Sequence, residues 1–571
     1  MYVERTGEFT FVSSMTISVG SLRFCQQRLY LHARLGLAPA QGAVYSLTQT
    51  SAKQNFSEPA MLATTLSGAV IGVDGLLVRV EVDLALGLPL FSTVGLAEGA
   101  VREAKDRVRA AVKNSGYEFP PRRITVNLAP AAVKKEGSGY DLPIALGILA
   151  ASGALPCPEL AETAIVGELS LDGGVRPVRG VLPMALEAKA NGIRRFLVPA
   201  ENAREAAVVQ GIEIIAVQSL RQAAQYLLNE RDILPSFTDI DALFSRRSEY
   251  QLDFAEVRGQ EHVKRAFEVA AAGGHNLLLC GVPGTGKTMM ARRLPTILPD
   301  LCLSEALETT KIYSTSGLLS EAQPLMVTRP FRSPHHTISD AGLIGGGQMP
   351  RPGEVSLAHN GVLFLDELPE FRKHVLEVMR QPLEDGVVTI ARAAASLRFP
   401  ADFMLVAAMN PCPCGFLGDK VKQCRCAPIQ VQRYRSQLSG PLLDRIDMHV
   451  EVPPVPVKEI SSRSSSGESS QPIRERVNQA RRLQQVRFVK TSGVTCNARM
   501  SPRQIEAFCQ IDETGSKLLN NAIDRLGLSA RAYHRIVKIA RTIADLAESP
   551  QIKSAHIAEA VQYRRQQDEM R

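Results

Sequence analysis

The stretch GVPGTGKT, residues 281–288, decides the fold of the central part of this 571-residue chain. It fits the pattern G-x-x-x-x-G-K-[ST], and it lies between an apolar run and a helical pattern, as that motif requires. The glycines let backbone N–H groups turn inward around phosphates, Lys287 supplies a cation, and Thr288 supplies a hydroxyl ligand for Mg²⁺. The predicted ATP-binding residues are therefore Gly281, Val282, Pro283, Gly284, Thr285, Gly286, Lys287 and Thr288.

Two more all-apolar runs predict strands buried on both faces of the same parallel sheet, and both end in polar side chains. The first ends in Asp366 and Glu367, and the second ends in Asn410. We expect Asp366 to hold Mg²⁺ together with Thr288 and Glu367 to polarise the attacking water. Asn410 either orients that water or only forms a turn. The fold class is therefore an α/β P-loop NTPase, and the activity expected is ATP hydrolysis.

Two arginines are candidates for stabilising the charge that develops on the γ-phosphate. Arg445 lies in PLLDRID, and an arginine supplied to the nucleotide by an adjacent subunit is a recurring device. The alternative for Arg445 is a surface ion pair with Asp444 or Asp447. Arg531 opens a helix near the C-terminus, and we expect it to reach the same phosphates.

Four of the ten cysteines crowd into one short loop, Cys412, Cys414, Cys424 and Cys426, with the spacing C-x-C-x₉-C-x-C. Four thiolates at such spacing can close a tetrahedral Zn²⁺ site. The alternatives are a reduced loop without metal, and an iron–sulfur cluster or redox pair. The other cysteines are scattered singly, which indicates a reduced compartment and predicts a cytoplasmic location.

Composition excludes several classes of protein. Hydrophobic residues make up 45% and charged residues 22% of the chain, which rules out collagen-like, mucin-like and wholly disordered proteins. The most apolar stretch, Leu142 to Leu155, is shorter than the roughly 20 residues that span a bilayer, so no membrane span is expected. Residues 471–571 hold 18 basic and 10 acidic side chains. Their excess of positive charge suggests either contact with a polyanion or a solvated helix face that carries Arg535, Lys538 and Arg541.

Changes of pattern along the chain predict six segments. Residues 1–60 are a disordered extension or an over-long start, with a transit peptide as the alternative. Residues 61–228 form an α+β domain, 229–258 a linker, 259–452 the ATPase core, 453–471 a Pro- and Ser-rich linker, and 472–571 a helical domain.

Several motifs together resemble those of the magnesium-chelatase-like AAA+ ATPases, and most closely those of the YifB/ComM branch. They are the P-loop, LFLDE, MNPCPCG, PLLDRID, RPFRSPHHT (residues 329–337) and LIGGG (residues 343–347). The resemblance covers about residues 61–567. It implies an αβα core with a helical lid, Mg²⁺-dependent ATP hydrolysis and a homo-oligomeric, hexameric ring. It also implies DNA as the partner, with branch migration on branched or single-stranded DNA in transformation and recombination.

The N-terminal domain of that family resembles the Lon protease domain, a ribosomal S5 domain 2-like fold. Gly139 stands where the Lon serine nucleophile would be, and Leu182 stands where the lysine would be. The Ser–Lys pair that nucleophilic catalysis requires is therefore absent, and we expect no peptidase activity. Ser138 is predicted to be a helix N-cap instead.

Related helicases place a hairpin in the pore of their ring, and residues 386–399 predict such a hairpin with Arg392 near its tip. The alternative is a structural hairpin whose arginine is solvated. His335 and His336 are expected to be packing or pore-loop residues rather than metal ligands. Two other functions remain open: a magnesium-chelatase motor subunit that acts in porphyrin metallation, and a nucleotide-binding scaffold without turnover.

Overall fold

The computed structural model describes residues 61–96, 99–135, 137–245, 250–347, 350–391, 396–419, 421–456, 467–491, 493–526 and 529–570. All of them belong to the second of two compact units, Pro59–Arg571. The predictions for residues 1–60 and for Arg392 lie outside the described residues. Among the described helices, none is both long enough and apolar enough to cross a bilayer.

The N-terminal part of this unit is a mixed sheet with helices. The strands are β1 (Met61–Ile71), β2 (Asp74–Ala85), β3 (Leu90–Val94), β4 (Arg123–Ala129), β5 (Thr163–Ile165), β6 (Glu168–Leu169), β7 (Val175–Arg176), β8 (Arg195–Pro199) and β9 (Glu213–Val217). The helices are α1 (Gly99–Asn114), α2 (Asp141–Ala151), α3 (Val181–Ala190), α4 (Ala203–Ala206), α5 (Leu220–Leu227) and α6 (Ile240–Ser245). Seven strands form one sheet in the order β3-β4-β2-β1-β5-β8-β9, and β6 pairs with β7.

Helix α2 is buried almost all round because it lies between the sheet and α1. Its sequence, DLPIALGILAA, has no polar face, and only Ala150 is not fully buried. The one charge on α2, Asp141, is fully buried and accepts a hydrogen bond from Arg107 Nε at 2.7 Å. Burial raises the pKa of Asp141 to about 6 in spite of the Arg107 charge. The all-apolar pattern thus marks a helix inside the domain.

The central part contains a five-stranded sheet that is parallel throughout, in the order β11-β14-β17-β10-β18. The strands of this part are β10 (Leu277–Cys280), β11 (Phe331–Arg332), β12 (Gly345–Gly346), β13 (Arg351–Pro352), β14 (Val362–Leu365), β15 (Val387–Ala391), β16 (Ser396–Pro400), β17 (Met404–Met409) and β18 (Met448–Glu451). The helices are α7 (Glu261–Gly273), α8 (Lys287–Arg293), α9 (Leu303–Ser316), α10 (Asp340–Ile344), α11 (Glu354–Leu357), α12 (Lys373–Val378), α13 (Arg380–Asp385), α14 (Pro428–Arg435) and α15 (Gly440–Leu443).

Strand β10 shows why the central strands are apolar at every position. Leu277 and Leu279 belong to a core cluster on one face of the sheet, and Leu278 belongs to a cluster on the other face. Because successive side chains of a strand point to opposite faces, a strand covered on both sides needs apolar residues throughout. The prediction of a doubly covered parallel sheet is therefore confirmed. The predicted hairpin is present as β15 and β16, and Phe399 packs in the second cluster.

The C-terminal helices cover one face of this sheet. They are α16 (Ser470–Phe488), α17 (Pro502–Phe508), α18 (Glu513–Leu526), α19 (Ala530–Leu546) and α20 (Ser554–Met570). Val477 of α16 and Ile536 of α19 share one core cluster with Leu277. The helical domain is thus packed into the hydrophobic core of the ATPase sheet.

Three basic side chains of α19, Arg535, Lys538 and Arg541, have partners inside the protein, so the prediction that these three form a solvated face is wrong. Arg541 is only 2% exposed and donates to the carbonyl oxygen of Pro550 at 2.8 Å. Lys538 donates to the carbonyl oxygen of Ala498 at 2.8 Å, and Arg535 pairs with Asp447. Their sequence spacing resembles that of a surface face, but the loops and strands around α19 supply acceptors that spacing cannot show.

The N-terminal part packs directly on the central part through α3 and α9. Ala306 of α9 lies in one apolar cluster with Ala185 and Ala188 of α3, and the Gly180 N–H donates to the Ser314 carbonyl oxygen at 3.2 Å. Within residues 229–258, which the sequence predicts as a linker, the structure places α6 and a 3₁₀ turn at Phe254–Glu256. The Phe254 ring is fully buried against the central core.

Asp447 connects the sheet to the helical domain, and its loss should destabilise the protein. It pairs with Arg535 of α19 and accepts the Asn276 N–H at 3.0 Å. Burial alone would raise the pKa of Asp447, but the charge of Arg535 and the interactions with His275 and the Asn276 N–H together outweigh burial and hold it below the ordinary value of 3.8. We expect Asp447→Asn to cost about 3 kcal/mol, because it leaves Arg535 without its anion.

Thermal unfolding near neutral pH measures that loss. Since the pKa of Asp447 is lowered in the folded state, its stabilisation is complete above about pH 4 and is lost as the pH falls further. The difference between wild type and Asp447→Asn should narrow accordingly on acidification. Asp524→Asn, which changes an exposed carboxylate on α18, is the matched control, and equal unfolding midpoints for the two variants would contradict the assignment.

Candidate nucleotide site

The P-loop follows the carboxyl end of β10 and leads into α8. Its first glycine has no room for a side chain, since a Cβ on Gly281 would lie 2.4 Å from the Val452 carbonyl oxygen. Its last glycine, Gly286, has a φ of +89° and forms the N-cap of α8. Close approach and left-handed backbone both favour glycine, so the motif sequence is required by the turn itself.

Lys287 is held inside this turn. It is only 8% exposed, and its Nζ donates to the carbonyl oxygens of Gly281 at 2.6 Å and Val282 at 3.1 Å. The same Nζ lies 3.2 Å from Asn410 Oδ1, which β17 delivers to this edge of the sheet. Burial lowers the pKa of Lys287. The structure therefore brings together the lysine and the asparagine that the sequence predicted for one site.

The predicted magnesium ligands also meet at this edge. Thr288 Oγ1 donates to Asp366 Oδ2 at 2.6 Å, and the Glu367 N–H donates to Asp366 Oδ1 at 3.0 Å. A hydroxyl and a carboxylate are oxygen ligands of the kind that Mg²⁺ takes beside nucleotide phosphates. Glu367 has a φ of +52° and an exposed side chain, so its carboxylate is free to approach a water molecule. These residues fit a magnesium nucleotide.

Two neighbours of the site were not predicted from the sequence as part of it. His336 Nδ1 lies 3.5 Å from Glu367 Oε2, and the His336 ring stacks on that of His335 with centroids 4.1 Å apart. Gln260 Nε2 donates to the Thr285 carbonyl oxygen at 3.1 Å. Neither residue has a distinctive spacing to the P-loop, since only the folding of distant segments brings them there.

The four cysteines lie together beside the P-loop, and we call residues 412–426 the cysteine knuckle. All four Sγ atoms lie within 4.8 Å of one another. Cys412 and Cys414 Sγ are 3.4 Å apart, and Cys424 Sγ lies 3.7 Å and 3.6 Å from them. A tetrahedron with Zn–S bonds of about 2.3 Å has sulfur–sulfur edges of about 3.8 Å, so the knuckle has the dimensions of a four-thiolate zinc site.

The thiols compete for ionisation. Backbone N–H groups of Phe416 and Arg425 lower the pKa of Cys414 to about 6. The Cys426 N–H also donates to Cys424 Sγ, at 3.4 Å, but burial and then the neighbouring thiols raise the pKa of Cys424 to about 12. Adjacent thiolates repel one another unless a cation is shared between them.

A second site lies at the opposite edge of the sheet. It is a cavity of about 720 Å³ lined by Asn276, Met404 and Gly361, which precede or begin β10, β17 and β14. The basic residues of its lining are Arg329, Arg445, Arg481, Arg499, Arg531, Arg535 and Lys538. None of the eight P-loop residues, all of which the structure describes, lines it. Since the P-loop follows the other end of β10, roughly 15 Å of strand separates the two sites.

Both predicted arginines lie in this cavity rather than at the P-loop of their own chain. Arg445 is 8% exposed, donates to the Pro441 carbonyl oxygen at 2.7 Å, and pairs with Glu384 rather than forming the predicted alternative pair with Asp444 or Asp447. Arg531 is exposed and has no hydrogen bond or ion pair with the described residues. The sequence predicted that the two arginines act together, and the structure places them in one cavity.

The two positions that the sequence predicted to correspond to a Ser–Lys pair, Gly139 and Leu182, lie among apolar groups. Leu182 is fully buried, and a Cβ on Gly139 would lie 3.2 Å from Val166 Cγ2. The prediction that Ser138 caps a helix is wrong, because the N-cap of α2 is Tyr140 and the Ser138 hydroxyl bonds Glu168. The helix starts two residues later than a serine cap would require.

Comparison with known proteins gives the family. The family models described as "Magnesium chelatase, subunit ChlI", "Subunit ChlI of Mg-chelatase" and "Magnesium chelatase, subunit ChlI C-terminal" match residues 253–460, 80–202 and 467–564. The competence protein ComM of Haemophilus influenzae is 46% identical over 88% of this chain and 97% of its own length. The uncharacterised protein YifB of Escherichia coli is 45% identical over 87% and 96%.

A magnesium-chelatase 38 kDa subunit of Rhodobacter capsulatus is 27% identical over only 28% of this chain and 50% of its own length. In contrast, the similarity to ComM and YifB extends over nearly the whole length of those two proteins. Together with the parallel sheet and its P-loop edge, these comparisons show that the chain belongs to the YifB/ComM family of magnesium-chelatase-like AAA+ proteins.

Proposed function

We propose that this protein is an ATP-hydrolysing AAA+ motor that acts on branched or single-stranded DNA. The observation that carries the ATPase part is the meeting of four predicted side chains at one strand edge. Lys287 Nζ lies 3.2 Å from Asn410 Oδ1, and Thr288 Oγ1 lies 2.6 Å from Asp366 Oδ2. Separate segments of the chain supply these groups, so a chance match to the P-loop pattern does not explain their convergence.

Each residue has a defined part in hydrolysis. Lys287 binds the β- and γ-phosphate oxygens, and the backbone N–H groups of residues 284–288 surround them. Thr288 and Asp366 hold Mg²⁺, which neutralises phosphate charge when it is bound. Glu367 accepts a proton from the attacking water, and Asn410 orients that water. His336, 3.5 Å from Glu367, helps to position the carboxylate.

The cavity that contains Arg445 and Arg531 binds the phosphates of a nucleotide held by a neighbouring subunit. An arginine on the far edge of the sheet cannot reach the P-loop of its own chain, but a head-to-tail assembly places the far edge of one subunit against the P-loop edge of the next. Arg531 then contacts the γ-phosphate together with Arg445, which exchanges its pair with Glu384 for the phosphate. This arrangement accounts for a homo-oligomeric ring, proposed to be a hexamer.

The cysteine knuckle binds Zn²⁺ in this proposal. Its four Sγ atoms lie within 4.8 Å of one another, and the separations between them match a tetrahedral site. Structural zinc in such a site fixes a loop that has little hydrophobic core of its own. The metal ion would be structural rather than catalytic, since its four protein ligands leave no open position for a substrate.

The N-terminal part, residues 61–228, is proposed to be a Lon-like domain without peptidase activity. Support comes from its α+β architecture and from Gly139 and Leu182, which stand where a Ser–Lys pair would be. The proposed boundaries of the linkers and of the helical lid at 472–571 follow the same changes in sequence pattern.

DNA as the substrate is supported by the similarity to a competence protein over 88% of the chain. A chelatase motor subunit is the second candidate, and the names of the matching family models favour it. The first candidate is preferred because the matched chelatase subunit resembles only 28% of this chain. A scaffold without turnover would have no need of Glu367 beside a complete P-loop.

Substitutions at the P-loop edge should separate binding from hydrolysis. We expect Lys287→Ala to abolish nucleotide binding, whereas Glu367→Gln should bind ATP normally and hydrolyse it about 10²–10⁴-fold more slowly. A fluorescent-nucleotide titration and a phosphate-release assay measure the two steps. Glu370→Gln, an exposed carboxylate three residues further on, is the matched control, and full turnover by Glu367→Gln would contradict its role.

Mixing two inactive variants tests whether Arg445 acts across a subunit interface. Arg445→Ala and Glu367→Gln each lack one half of every site, but a mixed ring contains interfaces at which both halves are intact. At equal amounts, random assembly should restore about a quarter of wild-type turnover. The control is Arg433→Ala, at an exposed arginine of the same core, which should keep wild-type turnover when it is assayed alone. No recovery at any ratio, in variants that co-assemble, would exclude action in trans.

Turnover in the presence of defined DNA tests the substrate. We expect four-way-junction DNA to raise the ATPase rate and to be unwound by wild type but not by Lys287→Ala, while linear duplex of equal length has less effect. Binding should weaken as salt rises, because basic side chains replace counterions on phosphates. If junction DNA neither binds nor changes turnover, the DNA assignment fails and the ATPase assignment survives.

A further inference from the structure

The cysteine knuckle touches the P-loop where Gly415 meets Pro283. A Cβ on Gly415 would lie 2.7 Å from Pro283 Cγ and 2.8 Å from Pro283 Cδ. Real Cβ atoms do not come that close to other heavy atoms, so the backbone of the knuckle is packed against the ring of Pro283 without any intervening space. The knuckle therefore forms one wall of the phosphate-binding loop.

The turn that carries Gly415 is fixed by the cysteines. The Gly415 N–H donates to the Cys412 carbonyl oxygen at 2.9 Å, and the Cys412 side chain is fully buried. Cys414 directly precedes Gly415, and its Sγ lies 3.4 Å from that of Cys412. A metal bound by these two thiolates would hold both ends of the turn, and Gly415 would have no independent position.

The same segment reaches the nucleotide site by a second route. Asn410 lies two residues before Cys412, and its Oδ1 contacts Lys287 Nζ at 3.2 Å. The strand end before Asn410 is joined to the P-loop as well, since the Gly281 N–H donates to the Met409 carbonyl oxygen at 3.2 Å. Both the wall of the P-loop and the partner of its lysine thus belong to the segment that leads into the knuckle.

We propose that a metal ion in the cysteine knuckle braces the phosphate-binding loop, so that nucleotide affinity depends on a Zn²⁺ ion that no phosphate touches. The inference rests on the proposed function in two respects, namely ATP binding at the P-loop and Zn²⁺ binding by the four cysteines. Gly415 and the cysteines are positioning residues: they set where Pro283 and Asn410 lie. Binding free energies are linked. If bound metal strengthens nucleotide binding by some factor, bound nucleotide must therefore strengthen metal binding by that same factor.

Two glycines of the knuckle form a matched pair for the test. Gly415 has a φ of +85° and Gly418 a φ of +83°, so an alanine strains the backbone equally at either position. Only Gly415 contacts Pro283, whereas a Cβ on Gly418 would have no described atom within 4 Å. Comparison of Gly415→Ala with Gly418→Ala therefore isolates the contact with the P-loop from backbone strain.

The experiment uses the full chain, a fluorescent ATP analogue for affinity and metal analysis for zinc. We expect one zinc per chain in wild type and in both variants. Nucleotide binding should be about tenfold weaker in Gly415→Ala, a difference of about 1.4 kcal/mol, and unchanged in Gly418→Ala. Adding Pro283→Ala to Gly415→Ala removes the ring that the new methyl group meets, so the double variant should recover part of the affinity.

The metal is varied independently. Cys424→Ser should lose both zinc and nucleotide affinity, whereas Cys302→Ser, at an exposed cysteine outside the knuckle, should lose neither. In wild type, saturating nucleotide should raise the equilibrium affinity for zinc about tenfold, as measured by competition with a chromogenic chelator. In Lys287→Ala, nucleotide should leave the zinc affinity unchanged. A cysteine whose role is only to keep the protein folded would not produce this reciprocal effect.

The outcomes separate the inference from the function beneath it. If zinc-loaded Gly415→Ala binds nucleotide as Gly418→Ala does, and nucleotide leaves the zinc affinity unchanged, the brace is refuted while ATP and zinc binding stand. If wild type holds no zinc, the zinc assignment and the brace fail together. If wild type does not bind the ATP analogue, the motor assignment itself is wrong.

Discussion

The parallel alignment of five buried strands is the constraint on which the rest of the molecule depends. When strands run in one direction, all their carboxyl ends meet at one edge of the sheet and all their amino ends at the other. Here the first edge collects Lys287, Asp366 and Asn410, and the second collects Arg445 in a cavity of about 720 Å³. In the proposed motor these two edges would supply the two halves of a hydrolytic site, and a second subunit would be needed to join them.

Because the helical domain is packed against this sheet, many of its basic side chains form internal ion pairs and are not available to a polyanion. Residues 471–571 carry 18 basic and 10 acidic side chains, an excess that on its own suggests a DNA-binding surface. Yet Arg541 is 2% exposed, and Arg487 and Arg541 both pair with the buried Asp545. Much of this positive charge stabilises internal structure. A net charge counted along the sequence therefore overstates the charge available to a polyanion.

What the sequence could predict was local, and what it missed depended on contacts between distant segments. The burial of α2, Asp141–Ala151, follows from its unbroken apolar pattern, and the P-loop edge follows from apolar runs that end in polar residues. A serine before an apolar run often caps the helix, which is why the sequence predicts Ser138 as a cap. In the structure its hydroxyl instead donates a hydrogen bond to the carboxylate of Glu168 in β6. Periodicity shows which residues are buried, not which partners they meet.

The state of Arg445 within a single subunit bears on how assembly could control turnover. Its side chain is buried, bonded to Pro441 and Glu384, and its Nε has no hydrogen-bond partner among the described residues. A buried guanidinium with an unused donor is costly, so a further acceptor that enters the cavity would stabilise it. Because Glu384 is exposed, its carboxylate can be solvated once Arg445 turns to a phosphate. Arg445 is thus satisfied only in part by its own chain. In the proposed ring, the phosphate of the next subunit would complete its contacts, and hydrolysis would then depend on contact between subunits.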